Sequence, residues 1–146
     1  MNLDVDDIYQ WPIVEGWRVD PLIGCRLRVG DGLEFGDGLT FGDRVTFGDG
    51  VTLGDVVTLD DGVTLGDGVT IGHRVRLGND VQLGDGVTIG DDTFLARVVQ
   101  VGDGATVGAR VSIDEGACIG EGADVADDAK LASGAVVPDG ASVVAA

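Results

Sequence analysis

Positive charge is scarce in this sequence. It contains nine Lys and Arg residues against 26 Asp and Glu residues, and its formal net charge is −17. Lys130 is its only lysine. Nucleic acids and anionic membranes are bound through positive charge that neutralises them, so we expect neither as a partner.

Long apolar runs and a pair of cysteines that could form a disulfide within one chain are also lacking. No apolar run approaches the 18 residues that suggest a membrane span. The acidic start of the chain has no basic region followed by an apolar one, which argues against a signal peptide. Cys25 and Cys118 are the only cysteines. In the coiled arrangement derived below they lie roughly 25 Å apart, whereas a disulfide needs Cα atoms within about 7 Å. We therefore expect a cytoplasmic, reduced protein.

Glycine is abundant instead, with 26 residues, and its spacing is periodic. From Ile23 to Val143 every sixth residue is apolar, without an insertion or a deletion. The residue two positions earlier is also apolar or small, and the residue between them is often Thr. This alternation is typical of a strand, and the glycines and Asp-Gly pairs that follow are typical of a turn. Each hexad is therefore predicted to form one short strand and one corner.

A second period, of eighteen residues, indicates three hexads per coil. Every third hexad carries an acid followed by Gly, whereas the other hexads often lose this pair. The acids of this column are Asp31, Asp49, Asp67, Asp85, Asp103, Glu121 and Asp139. One corner of a three-sided coil is thus kept uniform while two vary.

The hexads, such as Leu-Gly-Asp-Gly-Val-Thr from Leu65, resemble the hexapeptide repeat of the left-handed parallel β-helix, as in bacterial hexapeptide acyltransferases. The resemblance implies an all-β fold, a triangular β-solenoid of about seven 18-residue coils, and its left-handedness. We expect residues 23–146 to form this β-helix. Residues 1–22, which lack the glycine corners, are expected to form an amino-terminal cap segment that covers the first coil.

The first hypothesis for function is a non-catalytic, self-assembling β-solenoid module. Hexapeptide acyltransferases usually carry an inserted loop and a carboxyl-terminal helix or strap that build the donor groove, and this sequence has no insertion among its hexads. Its last hexad is followed directly by the final residues, 144–146. We therefore expect a homo-oligomer that associates through the uncapped last coil or through a face of the prism, with no cofactor.

The alternative is a trimeric hexapeptide acyltransferase that uses acyl-coenzyme A as its donor substrate. In such enzymes a histidine in a similar corner is the general base, and the resemblance implies this role for His73, the only histidine. The eighteen-residue period places His73 between Asp55 and Asp91, which suggests a purely structural role as a counterion. The γ-class carbonic anhydrases share the repeat but need three histidine ligands, so that activity is excluded.

Two further columns raise minor alternatives. The seven acids of the uniform corner form a possible ladder for cations such as Ca²⁺, since hard cations take oxygen ligands; a solvated ladder needs no ligand. Thr52, Thr70, Thr88 and Thr106 share one outward column, and flat threonine arrays occur in ice-binding solenoids. In a third outward column, Phe94 lies between Arg76 and Lys130 and hints at a lateral contact.

Overall fold

The chain folds into short strands wound around one apolar core. The computed structural model describes residues 8–14, 16–19 and 26–144, where the only helical residues are Ile8 and Tyr9. The strands are β1 Ile13–Val14, β2 Trp17–Val19, β3 Arg26–Arg28, β4 Glu34–Phe35, β5 Thr40–Phe41, β6 Val45–Phe47, β7 Thr52–Leu53, β8 Thr58–Leu59, β9 Thr64–Leu65, β10 Thr70–Ile71, β11 Arg76–Leu77, β12 Gln82–Leu83, β13 Thr88–Ile89, β14 Phe94–Leu95, β15 Gln100–Val101, β16 Thr106–Val107, β17 Ser112–Ile113, β18 Cys118–Ile119, β19 Asp124–Val125, β20 Lys130–Leu131, β21 Val136–Val137 and β22 Ser142–Val143.

These strands form three sheets, and consecutive strands fall in different sheets. The first sheet has the order β1-β2-β3-β6-β9-β12-β15-β18-β21, the second β22-β19-β16-β13-β10-β7-β4, and the third β20-β17-β14-β11-β8-β5. From β3 onward every pairing is parallel. The chain therefore visits each sheet once per coil, and the sheets are the three sides of a parallel β-helix.

The register confirms the eighteen-residue coil predicted from the sequence. Thr70 lies beside both Thr52 and Thr88, and Leu77 lies beside Leu59 and Leu95. Both the inward and the outward side chains therefore stack in columns along the prism. Six to seven coils are present, since the third sheet has six strands and the second has seven.

The inward columns form the core. In the middle coils the apolar residue that ends each hexad's strand and the residue two positions earlier are both buried, as in the pair Val57 and Leu59, which are fully inaccessible. Phe35, Phe41 and Phe47 make one aromatic layer in a single coil, with ring centres 5.2 to 5.5 Å apart. Burial of these columns removes apolar surface from water and is the main stabilising contribution to the fold.

Three corners join the sheets, and each is defined by two residues per coil. The acidic corner joins the first sheet to the second, the histidine corner joins the second to the third, and the third corner returns to the first. In the acidic corner the first residue of each pair is an acid and the second is Gly; the acids are Asp31, Asp49, Asp67, Asp85, Asp103, Glu121 and Asp139. In the histidine corner the first residues are Asp37, Asp55, His73, Asp91, Ala109 and Asp127, and the second residues, in the same order, are Gly38, Val56, Arg74, Asp92, Arg110 and Asp128. In the third corner the first residues are Asp43, Asp61, Asn79, Arg97, Glu115 and Ser133, and the second residues are Arg44, Gly62, Asp80, Val98, Gly116 and Gly134.

Described residues before the coils lie against the first of them. β1 and β2 extend the first sheet through antiparallel pairing with β3. Ile8 is buried in the core, and the Tyr9 hydroxyl donates a hydrogen bond to the carbonyl of Gly30. The Arg28 guanidinium lies 4.1 Å from the ring centre of Trp17. Residues 20–25, which include Cys25, are outside the described part, so the predicted division at residue 22 stays a prediction.

Candidate functional site

A ladder of hydrogen bonds runs along each corner. In the acidic corner the carboxylate of Asp49 accepts a hydrogen bond from the backbone N–H of Asp31, one coil earlier, at 2.8 Å. The acceptors that repeat this bond in the same corner are Asp67, Asp85, Asp103 and Asp139. The ladder satisfies turn N–H groups that have no partner in a sheet, which is the usual use of Asp at a turn.

His73 occupies one position of the equivalent ladder in the histidine corner. Its imidazole Nδ1 accepts a hydrogen bond of 2.8 Å from the backbone N–H of Asp55. The backbone N–H of His73 in turn donates to Asp91 Oδ1 at 2.8 Å. The placement between Asp55 and Asp91 predicted from the period is therefore confirmed. The imidazole replaces a carboxylate as the acceptor in the ladder, and about half of it (49%) is exposed to solvent.

This contact determines the tautomer of the imidazole. A backbone N–H can only donate, so Nδ1 carries a lone pair and the neutral ring holds its proton on Nε2. Nδ1 also lies 3.8 Å from Asp55 Oδ2, which would make an ion pair only with a proton on Nδ1. The hydrogen bond from the backbone N–H of Asp55 is shorter, and its donor is unambiguous, so this bond assigns the tautomer of His73 in the structure. In this state His73 presents a donor, Nε2–H, to solvent.

The coil around His73 packs closely. A methyl group added to Gly54 would lie 2.7 Å from His73 Nδ1 and 2.8 Å from the carbonyl carbon of Gly72. Thr93 is the only buried polar side chain among the described residues, and its hydroxyl donates to the carbonyl of Gly108 at 2.9 Å. Close packing and a hydrogen bond therefore fix the inner side of the histidine corner, while about half of the imidazole stays exposed to solvent.

Charged pairs extend along the same corner. Arg74 binds Asp92 through two hydrogen bonds of 2.6 and 3.0 Å, and Arg110 binds Asp128 through two of 2.7 and 3.2 Å. The hydrogen bond from Arg74 lowers the pKa of Asp92, and that from Arg110 lowers the pKa of Asp128. Both pairs are exposed, so they orient the side chains more than they stabilise the fold.

Backbone strain distinguishes this corner from the acidic one. The second residue of each corner adopts a left-handed conformation, which glycine accepts without cost. In the histidine corner five non-glycine residues adopt it, with φ from 57° to 66°: Val56, Arg74, Asp92, Arg110 and Asp128. A β-branched residue such as Val56 is an outlier in this region, and each such residue costs about 1 to 3 kcal/mol.

The other predicted columns are aligned by the fold. Thr52, Thr70, Thr88 and Thr106 lie in register on the second sheet. Among the described residues no group of three or more His, Cys, Asp or Glu side chains is arranged to hold a metal ion. The Ca²⁺ ladder and the ice-binding array both stay predictions without a supporting contact.

A shallow groove lies on the outer side of the first sheet, with a volume of about 520 Å³. Its polar lining includes Gln82, Gln100, Cys118 and Glu121. His73 lies in the corner between the other two sheets and does not line it. An enclosed pocket at His73 therefore requires a second surface.

Comparison with known proteins points to one family. The profile described as bacterial transferase hexapeptide (six repeats) matches residues 62–97, a segment that contains His73. A candidate acetyltransferase of Bacillus cereus superposes with a TM-score of 0.74 at 21% identity, over 79% of this chain and 70% of that one. The chain contains the hexapeptide repeat that this profile describes.

Further solved structures place this hexapeptide-repeat protein among left-handed parallel β-helices. WeeI of Acinetobacter baumannii is 21% identical with a TM-score of 0.54, over 81% of this chain and 51% of that one. A GDP-perosamine N-acetyl transferase mutant of Caulobacter crescentus, solved with CoA and GDP-perosamine, is 18% identical with a TM-score of 0.52, over 87% of this chain and 52% of that one. This chain spans about half the length of these two proteins.

Two further findings are negative. No curated protein sequence matches this hexapeptide-repeat protein. None of the helical residues in its described part forms a helix long and apolar enough to cross a bilayer.

Sequence reasoning missed the hydrogen-bond ladder. The sequence predicts that the acids of the acidic corner are either solvated or cation-bound, whereas the Oδ1 atoms of Asp67 and Asp85 accept hydrogen bonds from backbone N–H groups. A signal was present, because the first residues of the two variable corners are often Asp, Asn or His, whose short side chains all accept hydrogen bonds. Asn79 acts in this way, accepting from Asp61 N–H at 3.1 Å.

Proposed function

We propose that this hexapeptide-repeat protein is an acyltransferase that moves an acyl group from a coenzyme A thioester to a hydroxyl or an amine. The observation that carries the proposal is His73, half exposed on a corner of the coils that match the bacterial transferase repeat. Support also comes from two neighbours named acetyltransferases, one of them solved with CoA. A homotrimer, the usual state of this family, would supply the second surface that His73 lacks.

His73 acts as the general base in this proposal, and its geometry defines what that role requires. In the acceptor-bound state the proton of the imidazole moves from Nε2 to Nδ1, which frees the Nε2 lone pair. Nδ1 then releases the backbone N–H of Asp55 and donates to Asp55 Oδ2, now 3.8 Å away. Asp55 is therefore a positioning residue, which holds the tautomer that a base needs.

The reaction balances with these groups. The acceptor oxygen or nitrogen attacks the thioester carbonyl carbon while its proton passes to Nε2 of His73. The carbon–sulfur bond then breaks, and the coenzyme A thiolate leaves and takes the proton from the imidazole. The contribution expected of one such base is roughly 10²- to 10⁴-fold in rate.

The test compares acetyl-CoA turnover in the wild type and in His73→Asn, with a panel of amino and hydroxyl sugars as acceptors. Asn79 shows that an amide accepts the ladder hydrogen bond, so this variant removes the base and keeps the corner. We expect it to fold as the wild type and to lose roughly 10²-fold or more of kcat. Full turnover in His73→Asn would overturn the role of His73.

A second variant tests the positioning role of Asp55. Asp55→Asn retains an Oδ1 acceptor for the backbone N–H of Asp37 but replaces Oδ2 with an amide that cannot accept from Nδ1. We expect a fall in kcat with little change in KM. Absence of acetyl-CoA binding in the wild type would favour the non-catalytic, self-assembling module instead.

A further inference from the structure

We propose that the groove on the outer side of the first sheet binds a short chain of amino sugars. In this assignment Gln82 and Gln100 bind sugar hydroxyls, and the carboxylate of Glu121 binds an ammonium group. The groove lies on the side of the prism opposite the histidine corner. The site is therefore distinct from His73, and it does not depend on the proposed acyltransferase function.

The outward column of the first sheet differs from those of the other two sheets in its charge. The second sheet includes Glu34 and Asp124 in its outward column, and the third includes Arg76 and Lys130. Beyond Arg28 the outward column of the first sheet contains only uncharged residues: Thr46, Thr64, Gln82, Gln100, Cys118 and Val136. The first sheet is therefore a neutral strip on a molecule of net charge −17.

Two adjacent amides lie at the centre of this strip. Only three glutamines occur in the sequence, and two of them, Gln82 and Gln100, lie side by side in register on β12 and β15. Both side chains are exposed, and both line the groove. A carboxamide donates through its nitrogen and accepts through its oxygen, and a sugar hydroxyl also does both. The two amides are therefore suited to bind neighbouring hydroxyls.

Glu121 interrupts the hydrogen-bond ladder of the acidic corner. The backbone N–H of Asp85 donates to Asp103 Oδ1, and that of Glu121 donates to Asp139 Oδ1. The longer side chain of Glu121 makes no such bond to the N–H of Asp103. Within the described part of the chain its carboxylate accepts no hydrogen bond and forms no ion pair. This carboxylate lines the groove and is available to a ligand.

The shape of the groove suits a short, extended ligand. It runs along the prism across β9, β12, β15 and β18, from Thr64 to Cys118, a length of roughly 14 Å at the strand spacing of about 4.8 Å. Gly84, Gly102 and Gly120 lie between the outward column and the acidic corner and have no side chain to fill the space. The volume of about 520 Å³ is in the range of small-molecule sites.

The lining favours one class of ligand. Glu121 and Asp139 repel an anionic ligand, including the phosphates of coenzyme A, and none of the described residues that line the groove is basic. A polyamine would pair with the carboxylates but would leave the two amides without hydroxyl partners. An amino sugar has hydroxyls for Gln82 and Gln100 and an ammonium group for Glu121, and a hydrogen bond between charged groups is stronger than a neutral one.

The first experiment compares four probes by isothermal titration calorimetry with the full chain, at fixed ionic strength and at a pH at which the amines are protonated. The probes are the trisaccharides of glucosamine, N-acetylglucosamine and galacturonic acid, which are cationic, neutral and anionic, and spermidine, which has amines but no hydroxyls. We expect the glucosamine trisaccharide to bind roughly tenfold more tightly than the neutral one. No binding of the glucosamine trisaccharide, or equally tight binding of spermidine, would overturn the proposal.

A matched pair of variants tests the contact with Glu121. Glu121→Gln and the control Glu34→Gln, on the second sheet, each change the net charge from −17 to −16. We expect Glu121→Gln to weaken binding of the glucosamine trisaccharide roughly tenfold and to leave the N-acetylglucosamine trisaccharide unaffected, while the control changes neither. Equal effects of the two variants would mean that the cation binds through the net charge of the molecule and not in the groove.

The amides are tested by Gln82→Met with Gln100→Met, which keeps the length of the side chains and removes their hydrogen-bonding groups. We expect weaker binding of both the glucosamine and the N-acetylglucosamine trisaccharide. Unchanged affinity in this double variant would contradict the assignment of the hydroxyls to Gln82 and Gln100. Acetyl-CoA turnover of the wild type and of His73→Asn is a separate measurement, so failure of the groove to bind sugars leaves the role of His73 untouched.

Discussion

The acidic corner and the histidine corner perform the same turn with different residues. In the acidic corner each left-handed position is a glycine, such as Gly68 with a φ of 68°, and the preceding acid caps a backbone N–H. In the histidine corner the left-handed positions include Val56 and Arg74, and His73 replaces an acid in the ladder. The acidic corner therefore has the residues that favour the turn most, while the histidine corner accepts backbone strain and carries His73 and two Arg–Asp pairs.

The largest expected effect tests whether both corners require glycine where two coils approach each other closely. Gly54→Ala in the histidine corner places a methyl group 2.7 Å from His73 Nδ1 and 2.8 Å from the carbonyl carbon of Gly72. The backbones of two coils must separate to admit it, so the free energy of unfolding should fall by about 2 kcal/mol. Chemical denaturation measures this, with Gly48→Ala as the match in the acidic corner, where the carbonyl carbon of Gly66 lies 2.6 Å away. A loss of stability in only one of the two variants would contradict the view that both corners require glycine at this position.

The next effect concerns strain in the acidic corner. Gly68 has nothing within 4 Å of an added Cβ, so Gly68→Val introduces backbone strain without a clash. We expect the free energy of unfolding to fall by about 1 to 2 kcal/mol. Gly68→Asn is the control, because Asn tolerates the left-handed conformation and should cost less. An unchanged stability in Gly68→Val would show that the glycines of the acidic corner are not kept for their conformation.

A smaller effect separates the structural from the chemical role of His73. His73→Ala removes the acceptor for the Asp55 N–H, so we expect a loss of about 1 kcal/mol. His73→Asn keeps an acceptor and should retain wild-type stability within about 0.5 kcal/mol. Thermal and chemical denaturation of the pair give the comparison. Equal losses of stability in the two variants would mean that the hydrogen bond from the Asp55 N–H to His73 does not stabilise the fold.

The smallest effect depends on pH and lies in the third corner. Hydrogen bonding from Arg26 lowers the pKa of Asp43 from 3.8 to about 2. The folded state therefore prefers the ionised carboxylate, and the resulting stability is present above pH 3.8 and is lost as the pH falls toward 2. Asp43→Asn should be less stable at neutral pH by about 0.5 kcal/mol, since the pair is partly exposed. The difference from wild type should shrink in denaturation curves below pH 3.8. A stability difference between the wild type and Asp43→Asn that did not change with pH would contradict the proposed link between the ionisation of Asp43 and stability.

Much of the fold could be predicted because a hexad encodes both its strand and its corner. The apolar residues Val57 and Leu59 flank Thr58, and this alternation alone defines which side chains point inward. The eighteen-residue column of acids then predicts the register that the sheets adopt. Handedness came from the resemblance, because local alternation is the same in either hand.

The candidate site could be located but not described from the sequence. Its position between Asp55 and Asp91 followed from the period, whereas the tautomer of His73 depends on one backbone N–H direction. The left-handed conformation of Val56 was equally hidden, because its residue type disfavours that region and the corner imposes it through the surrounding coils. Tertiary constraints, rather than local preference, decide both features.

Val56→Gly gives the most direct test of the claim that the histidine corner contains backbone strain that the acidic corner avoids. The substitution removes the strain and an exposed apolar side chain together. We predict that the free energy of unfolding, measured by chemical denaturation, rises by about 1 kcal/mol. A variant that is no more stable than the wild type would contradict the account.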